Sequence, residues 1–557
     1  MYILGVNSGP HDTAAALIKD GQLVCMIEQE RLSRRKKAFG EAPVDAIKAC
    51  LGYANISLED IHTIAVGWDV PFAAKNLNMT YDERTFSQWL LPSDQISYVH
   101  IPPLHFVPHH LAHAASAFWT SGFDRAAILI IDGAGETKST TTAIGSSSGI
   151  HPLFEWSMVQ SLGVFYSMAS EWAGLSFWDA GKLMGLAAYG HPDYPMPLVP
   201  SSDGYTFLGA PKPFRRIVRH EMQQRSVLEP HFFQTYPFAP NRAGDKSEIM
   251  AYANFAASVQ KALEEAVTQL AHVTCKQAET TNLIIVGGVA LNCTLNGYLS
   301  RSRQFNDIYV PPFPHDAGVS LGAALMLHHQ LNQNTVVRLP RLEHAYWAPP
   351  LQDHDVSTTI QASGLPAQEL DEMELVKRVA KHLSNGYLVG WLHGRAEVGQ
   401  RALGARSILG DPRQRSQLVR INRLKGREIW RPLAPSILEE YAADVFGPDL
   451  PSITDFMLAA WPIRTEIQRL LPAVVHVDGT ARPQIVRHKV NPRFWHLINE
   501  FREITGVPAI INTSFNLAGE PIVYSAADAI KTFRDSELDV LVLDDFILEK
   551  PHILFID

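Results

Sequence analysis

The sequence predicts an α/β protein with an internal duplication, followed by a second α/β unit. The start "MYILGVNS" reads as a strand, and "TAAALIKDGQLVCMIEQERLS" continues it as two strands joined at Asp20-Gly21. The stretch "AAILIIDGAGETKSTTTAIGSSSGI" repeats this strand–turn–strand pattern, which indicates a duplication. After a Pro-rich, charged stretch at 340–355, a helix near 372–384 and the strand "YLVGWLHG" begin another α/β unit. We therefore expect one domain over 1–345 and a second over 346–557.

The remaining elements support this division. Residues 43–53 and 246–278 have helical patterns, and "IHTIAVGWD" is a strand. The stretch "NLIIVGGVALNCTLNGYL" predicts a buried strand, a Gly-Gly turn and a helix, an arrangement that brings backbone N–H groups to a phosphate or nucleotide. Late strands are expected at "AIINTSF" and "VLVLDDFIL".

Composition excludes several classes of protein. The 557 residues include 46% hydrophobic and 19% charged ones, which is typical of a folded protein of two to four domains. The net charge of −9 argues against a non-specific nucleic-acid binder. No run is apolar enough for a membrane helix and no signal peptide is visible. The four cysteines form no CxxC pair, so we expect a reducing, cytoplasmic environment.

The stretch "VPHHLAHAASA" carries the first candidate metal ligands. If it is helical, His109 and His113 lie on one face at metal-ligand spacing, whereas His105 and His110 point elsewhere. The alternative is a pair of ordinary helix histidines.

Two aspartates have comparable positions at the ends of other elements. Asp132 ends the strand "AAILIID" before a Gly turn, and Asp316 precedes a helix start; the alternatives are a turn cap and a helix N-cap. Two histidines and two aspartates suit Fe(II), Mn(II) or Zn(II).

Other polar residues follow strands in the N-terminal part. His11 and Asp12 follow the first strand in "GPHDTAA" and could act as a base and its orienting group, or could form a solvated turn. Lys182, in "DAGKLMGLAAYG", could contact a phosphate or lie on the surface.

The C-terminal part concentrates cations in Gly-rich loops. Arginine binds phosphate in a bidentate manner, and glycine lets the backbone approach a ligand. In "INTSFN" we expect Asn512, Thr513 and Ser514 to be exposed at the sheet edge. This pattern predicts an anionic, phosphorylated ligand. The cations are Arg395, Arg401, Arg406, Lys425, Arg427, Arg431 and Arg482.

Taken together, these motifs resemble the antibiotic and nodulation-factor O-carbamoyltransferases of the NodU/CmcH family, and tobramycin carbamoyltransferase-like enzymes within it. The resemblance runs through "ILGVNSGPHDTAAAL", "EQERLSRRKK", "HHLAHAASA", "IDGAGE", "GKLMGLAAYG", "VGGVALN", "DAGVSLGAA", "GRAEVGQRALGARS", "REIWRPLAPS", "ARPQ" and "NTSFNLAGEPIV". Many motifs in one order are more specific than any single motif.

The resemblance implies a fold and a reaction. Residues 1–345 would form a tRNA threonylcarbamoyl transferase-like domain of duplicated actin/hexokinase-like (ASKHA) architecture, and 346–557 a threonylcarbamoyl-AMP synthase-like (YrdC-like) domain. The second domain would make carbamoyl adenylate from carbamoyl phosphate and ATP with Mg²⁺. The first would transfer the carbamoyl group to a hydroxyl of a small-molecule natural product, as in antibiotic biosynthesis. No nucleic-acid or membrane partner is implied, and a homodimer is compatible with the family.

The resemblance also assigns residue roles. Fe(II), or another divalent ion, would be held by His109, His113, Asp132 and Asp316. His11, with Asp12, would lie near the acceptor. From its own composition, and not from the resemblance, region 191–245 is expected to line the acceptor pocket, since it is rich in Pro, aromatic and basic residues. The adenylate would contact Gly135, Lys182, Gly287, Gly288 and Asn292. Carbamoyl phosphate and ATP would contact Arg395, Arg401, Arg406, Lys425, Arg431, Arg482, Asn512 and Ser514.

Four other functions compete with this interpretation. A chaperone ATPase or a sugar kinase of the same fold needs neither the histidine–aspartate set nor an Arg-rich second domain. A non-enzymatic regulator would release no pyrophosphate from carbamoyl phosphate and ATP. A tRNA threonylcarbamoyl transferase is the nearest enzymatic alternative, and the acidic charge and fused second domain count against it. A hydrogenase-maturation carbamoyltransferase carries cysteine-type zinc fingers, which this sequence lacks.

Overall fold

The structure, a computed structural model, describes residues 1–208, 248–332, 339–351 and 353–553. Of the region expected to line the acceptor pocket, 191–245, the part from 209 onward lies outside the described residues. No helix in the described ranges is long and apolar enough to cross a membrane.

The N-terminal part contains two five-stranded sheets of the same topology. In the first, the order is β3-β2-β1-β4-β5, with β1, β4 and β5 parallel. Its strands are β1 (Tyr2–Asn7), β2 (Ala14–Lys19), β3 (Gln22–Glu28), β4 (Ile61–Val66) and β5 (Leu104–Phe106). Parallel neighbours require crossover connections, and helical segments separate β1, β4 and β5 along the chain.

The second sheet repeats the arrangement. Its order is β12-β11-β6-β7-β8, with β6, β11 and β12 parallel and β6, β7 and β8 antiparallel. A hairpin of β9 (Leu198–Ser201) and β10 (Gly204–Phe207) stands apart from it. The sheet's strands are β6 (Ala126–Gly135), β7 (Lys138–Ser146), β8 (Gly149–Ser157), β11 (Asn282–Val286) and β12 (Asp307–Tyr309). In both sheets the strands, counted along the chain, lie in the order third, second, first, fourth, fifth, so the predicted duplication is confirmed.

The C-terminal part is built on a mixed eight-stranded sheet. Its order is β13-β22-β21-β14-β15-β20-β16-β19, with only β14–β21 and β16–β19 parallel among the pairings described. A two-stranded ribbon is formed by β17 (Trp461–Pro462) and β18 (Thr480–Ala481). The sheet comprises β13 (Gln368–Glu369), β14 (Val389–Leu392), β15 (Arg406–Gly410), β16 (Ala434–Leu438), β19 (Gln484–Val486), β20 (Ala509–Ser514), β21 (Val540–Leu543) and β22 (Phe546–Glu549).

One expectation about this sheet is wrong. Strand β20 pairs on both sides, with β15 and β16, so it is an interior strand. Asn512 is only 1% exposed there, and its amide donates to Ser436 and Gln484. The polar end of "AIINTSF" therefore does not lie at an edge of the sheet; Thr513 and Ser514, at the end of the strand, are half-buried.

Seventeen α-helices are described. Several begin as the sequence favours: Asp371 and Asn491 accept hydrogen bonds at helix N-termini, and Ser525 with Asp528 forms a capping box. The helices are α1 (Gln29–Ser33), α2 (Val44–Ala54), α3 (Val70–Asn76), α4 (Glu83–Leu90), α5 (His109–Phe118), α6 (Leu162–Trp172), α7 (Ala180–Ala187), α8 (Ala253–Ala278), α9 (Cys293–Arg301), α10 (Ala317–Leu331), α11 (Asp353–Ser363), α12 (Glu372–Ser384), α13 (Arg415–Leu424), α14 (Glu439–Phe446), α15 (Thr465–Gln468), α16 (Pro492–Thr505) and α17 (Ala526–Arg534).

Helices α5 and α10 pack unusually closely. A Cβ added at Gly322 of α10 would lie 1.7 Å from the carbonyl oxygen of Ala112 in α5. The two backbones therefore touch, which only glycine permits at this point. This contact fixes the histidines of α5 relative to the start of α10.

The chain separates into two compact units. The first contains residues 1–9, 18–22 and 58–342; the second contains 10–17, 23–57 and 343–557. Two early segments thus belong with the C-terminal part. The division at 345/346 remains a prediction.

Candidate active site

Helix α5 presents the two candidate histidines. It begins at His109, and His113 follows one turn later, so both rings lie on one side with centroids 4.5 Å apart. The helix N-terminus has no cap from its own N-cap residue, Pro108. Instead, Glu136 accepts hydrogen bonds from the backbone N–H groups of His109 (3.0 Å) and Asp69 (2.8 Å). A carboxylate at this end also suits the helix dipole.

Two aspartates from other elements meet these histidines. Asp132 belongs to β6, and Asp316 directly precedes α10. His109 Nε2 lies 3.3 Å from Asp132 Oδ2 and 3.8 Å from Asp316 Oδ1. His113 Nε2 lies 3.7 Å and 3.6 Å from the same two atoms. All four side chains are buried, and their ligand atoms lie within 4.8 Å of one another.

The donor set fits a single divalent ion. Nitrogen and oxygen ligands lie about 2.0–2.2 Å from such ions, so neighbouring ligands of one ion are roughly 3–3.5 Å apart. Nε2 of His113 is buried without a hydrogen-bond partner among the described residues. His109 Nδ1 lies 3.3 Å from the carbonyl oxygen of Gly67, to which it donates, and this leaves Nε2 as the ring nitrogen that faces the carboxylates. Gly288 N–H in turn orients Asp132, donating to its Oδ1 at 3.0 Å.

The electrostatics of the cluster favour a cation. Burial lowers the pKa of His113, but the carboxylates of Asp132 and Asp316 outweigh it and raise that pKa to about 9. Burial raises the pKa of Asp132, yet His109 and His113 hold it well below its usual range. The two carboxylates thus stabilise positive charge at the point where the four side chains meet, and a divalent ion bound there would supply it to both.

A glycine substitution tests this packing. A Cβ at Gly135 would lie 2.5 Å from Cδ2 of His109, whereas a Cβ at Gly133 would meet nothing within 4 Å. We expect Gly135→Ala to displace the His109 ring and weaken Zn²⁺ binding by at least about tenfold, because the orientation of a ligand controls metal affinity. Gly133→Ala is the matched control. Calorimetric titration of both variants is the measurement, and equal affinities would contradict the packing argument.

Two residues that contact His109 were not predicted from the sequence. The Trp68 ring lies 4.2 Å from the His109 ring, and its N–H donates to Oδ1 of Asn7 at 3.0 Å. Glu136 stands in the "IDGAGE" motif, but nothing local shows that it caps a distant helix. His110 instead contacts Thr141 Oγ1 at 2.7 Å, and His105 is exposed on β5, so both lie outside the cluster as expected.

Four of the five candidate adenylate-binding residues fall in two places. Gly135 and Gly288 adjoin His109 and Asp132, and Gly287 directly precedes Gly288. Asn292 is the N-cap of α9; its amide donates to Gln260 at 2.9 Å. Tyr166 donates to the same Gln260 oxygen at 2.7 Å.

The other candidates from the N-terminal sequence motifs have charged neighbours. Lys182, on α7, lies 2.9 Å from Asp179. In the second unit, His11 Nδ1 lies 2.9 Å from Asp12 Oδ2, so the predicted His–Asp contact is present. Lys37 also donates to that oxygen, at 3.0 Å, a partner that sequence reasoning missed.

The second unit gathers cations around the end of β20. Lys425 is buried, and its ammonium donates to Ser514 O and, at 3.0 Å each, to O and Oδ1 of Asn516. Arg427 lies 3.5 Å from the hydroxyls of Thr513 and Ser514. We call Lys425, Arg427, Arg431, Arg482 and Arg401 the cation cluster.

Burial and neighbouring cations dominate the electrostatics of the cation cluster, although an oxygen of Glu428 lies 3.9 Å from Arg431. Burial, then Arg431 and Arg482, lower the pKa of Arg427, and Arg401 adds to this while Glu428 opposes it. Burial, then Arg427 and Arg431, hold the pKa of Lys425 well below its usual range. Nε of Arg482 is buried without a hydrogen-bond partner among the described residues. Such a group of cations is suited to an anion with several negative oxygens.

Arg395 and Arg406 donate hydrogen bonds to main-chain carbonyl oxygens. Arg406 is fully buried and donates to the carbonyl oxygens of Tyr524, His393 and Gly394. Arg395 donates to the carbonyl oxygens of Ala348 and Trp347 and lies over aromatic rings. The structure does not show these two guanidinium groups joining the cation cluster, and their predicted ligand contacts remain untested.

Both halves of the sequence match carbamoyltransferase family models. The model described as carbamoyltransferase N-terminus matches residues 2–325, more than half of the chain, and the carbamoyltransferase C-terminus model matches 380–550. The chain belongs to the carbamoyltransferase family. This carbamoyltransferase is therefore an enzyme that transfers a carbamoyl group, and the expected family is confirmed.

Curated relatives cover most of this carbamoyltransferase. It is 38% identical to nodulation protein NolNO of Sinorhizobium fredii, over 98% of the chain and 80% of the relative. It is 39% identical to nodulation protein NolO of Bradyrhizobium diazoefficiens, over 79% of the chain and 78% of the relative.

Likeness to solved structures is weak. HypF of T. kodakarensis is 13% identical with a TM-score of 0.36, over 60% of this chain and 48% of that one. Component A of the Acidaminococcus fermentans (R)-2-hydroxyglutaryl-CoA dehydratase is 14% identical with a TM-score of 0.32, over 60% of this chain and 99% of that one.

Proposed function

We propose that this carbamoyltransferase forms carbamoyl adenylate from carbamoyl phosphate and MgATP and transfers the carbamoyl group to a hydroxyl of a small-molecule natural product in the cytoplasm. The observation that carries the proposal is the cation cluster of the second unit. Carbamoyl transfer alone needs one activated donor, whereas an additional site with one buried lysine and four half-buried arginines suits phosphate-rich reactants.

The first step is assigned to the cation cluster. Water first hydrolyses carbamoyl phosphate to carbamate and phosphate. An oxygen of the carbamate then attacks the α-phosphorus of ATP and displaces pyrophosphate, which gives carbamoyl adenylate. Negative charge spreads over the phosphate oxygens as the bonds change, and fixed cations in a water-poor site stabilise it. Lys425 is buried and Arg427 is half-buried, so both can act in this way.

In the second step, the contacts to the metal and to the adenylate are assigned to residues of the first unit. The acceptor oxygen attacks the carbamoyl carbon, and AMP leaves. His109, His113, Asp132 and Asp316 would hold the metal, proposed as Fe(II), which when bound supplies positive charge to the leaving phosphate. The turn at Gly287 and Gly288, whose own N–H groups donate to Pro314 and Asp132, would let the adenylate approach the backbone closely. His11, oriented by Asp12, is proposed to accept the hydroxyl proton.

The acceptor is proposed to be a small molecule, such as an antibiotic precursor, and not a nucleic acid. The net charge of −9 supports this choice. The enzyme is proposed to need no membrane partner, and a homodimer is the proposed assembly.

The test uses the intact, metal-loaded protein. Incubation with carbamoyl phosphate, ATP and Mg²⁺ should release pyrophosphate and phosphate, with carbamoyl-AMP detected by mass spectrometry. Omitting carbamoyl phosphate is the control and should abolish pyrophosphate release. Adding candidate hydroxyl compounds should give a product heavier by one carbamoyl group, whereas bulk tRNA should not be modified. Absence of both pyrophosphate and carbamoyl-AMP would refute the proposal.

A further inference from the structure

A buried ion pair near the N-terminus hydrogen-bonds to both backbone polar groups of one residue in the C-terminal sequence. Glu28 and Arg31 are each 3% exposed and belong, with Gly399, to the second unit. Glu28 Oε1 accepts the N–H of Gly399 at 2.7 Å, and Arg31 Nη2 donates to the carbonyl oxygen of Gly399 at 2.6 Å. Both polar groups of Gly399 are thus held by opposite charges.

The pair is a poor stabiliser of the fold. The two charged groups approach only to 3.7 Å, and Nε and Nη1 of Arg31 and Oε2 of Glu28 are buried without hydrogen-bond partners in the described part of the chain. Burying two charges costs more than such a distance returns. Burial also raises the pKa of Glu28 to about 7, although Arg31 opposes this shift. The arrangement therefore calls for a role other than stability.

The residue that this pair holds lies beside a member of the cation cluster. Gly399 is two residues before Arg401, in the loop 393–405 between β14 and β15. After Arg401, the loop is held by Glu397, whose Oε1 accepts the backbone N–H groups of Leu403 (2.6 Å) and Arg406 (3.3 Å). The backbone on both sides of Arg401 is therefore fixed by buried carboxylates or guanidinium groups.

We propose that Glu28 and Arg31 are positioning residues that hold Arg401 in the anion site. The proposal rests on the proposed function, since that function assigns phosphate-rich reactants to the cation cluster. Both Glu28 and Arg31 need to be charged, because a charge-assisted hydrogen bond fixes the backbone more firmly than a neutral one. Arg401 itself then meets the anion without reorganising its loop.

The test is a double-mutant cycle read by binding, so it does not depend on turnover. The variants are Arg31→Met, Arg401→Ala and the double variant, each titrated with inorganic pyrophosphate in a calorimeter. We expect each single change to weaken affinity roughly tenfold or more. The double variant should be no weaker than Arg401→Ala, because Arg31 acts through Arg401. Arg31→Lys, which keeps a donor, should recover part of the affinity.

Arg413→Met is the matched control. Arg413 lies in the same unit and likewise donates to a carboxylate, Asp411, and to a carbonyl oxygen, Ser384. Its affinity for pyrophosphate should equal that of the unsubstituted enzyme. If Arg31→Met does not fold, as judged by thermal unfolding, the same cycle is run with Arg31→Lys.

The outcomes separate the two proposals. Additive losses in the cycle, or unchanged affinity in the Arg31 variant, would overturn the positioning role. Lack of pyrophosphate production from carbamoyl phosphate and ATP, with the binding cycle as expected, would refute the proposed reaction and leave the positioning role standing.

Discussion

Replacing His113 by alanine should abolish carbamoyl transfer while pyrophosphate release from ATP and carbamoyl phosphate continues. His113 Nε2 lies 3.7 Å from an oxygen of Asp132 and 3.6 Å from an oxygen of Asp316, and it has no hydrogen-bond partner among the described residues. Removing a metal ligand should reduce transfer by more than about a hundredfold, since loss of an outer partner alone costs ten- to a hundredfold in metal affinity or activity. Metal content, acceptor carbamoylation and pyrophosphate release are measured on the same sample.

His110→Ala is the matched control for this experiment. His110 lies in the same helix and is buried, but its hydrogen-bond partner is Thr141 Oγ1. It should retain bound metal and most of the transfer activity. If His113→Ala keeps both metal and transfer, the four-residue site is not the metal site of the reaction.

Replacing Lys425 by methionine should impair the first step, pyrophosphate release, and leave metal binding intact. Pyrophosphate release should fall by about a hundredfold to a thousandfold, the range for loss of one fixed electrostatic contact. Metal bound at His109 and His113 should be unchanged, because these residues belong to the other compact unit. Methionine is one atom shorter than lysine, keeps an unbranched side chain, and lacks the charge and the hydrogen bonds to Asn516 and Ser514.

The pH profile gives this prediction a second readout. The pKa of Lys425 is depressed by burial and by Arg427, so its ammonium loses a proton at a lower pH than an ordinary lysine. The charged form exists below that pKa, and pyrophosphate release should therefore decline as pH rises through it. The Lys425→Met variant should lack this decline. Arg413→Met again controls for a lost cation in this unit, and an equal loss of activity there would contradict a specific role for Lys425.

The fold was largely predictable because local patterns specify it. Alternating turns and apolar runs located β1 to β3 and β6 to β8, and their common order then follows from the duplication. Strand neighbours in the C-terminal sheet were not predictable. The sequence shows that "AIINTSF" is a strand, but only the pairing with β15 and β16 shows that Asn512 is enclosed on both sides.

The candidate site was predictable where a single element presents two residues. Helical periodicity was sufficient to pair His109 with His113, and strand and helix ends were sufficient to suggest Asp132 and Asp316. Local patterns did not reveal Trp68 and Glu136, because both contact His109, which lies on another part of the chain. The sequence also does not show which arginines have protein partners: Arg406 donates to main-chain carbonyl oxygens, and no local motif indicates it.

The hydrogen bond between Arg31 and Gly399 joins residues 368 positions apart. During synthesis, the segment 23–57 emerges long before most of its partners in the second unit exist. Closing such a long loop is entropically costly, and folds dominated by distant contacts form slowly. Glu28 and Arg31 must therefore wait for Gly399 until the last third of the chain is being translated. Refolding of the full chain should be slow, and residues 343–557 expressed alone should lack the two hydrogen bonds that hold Gly399.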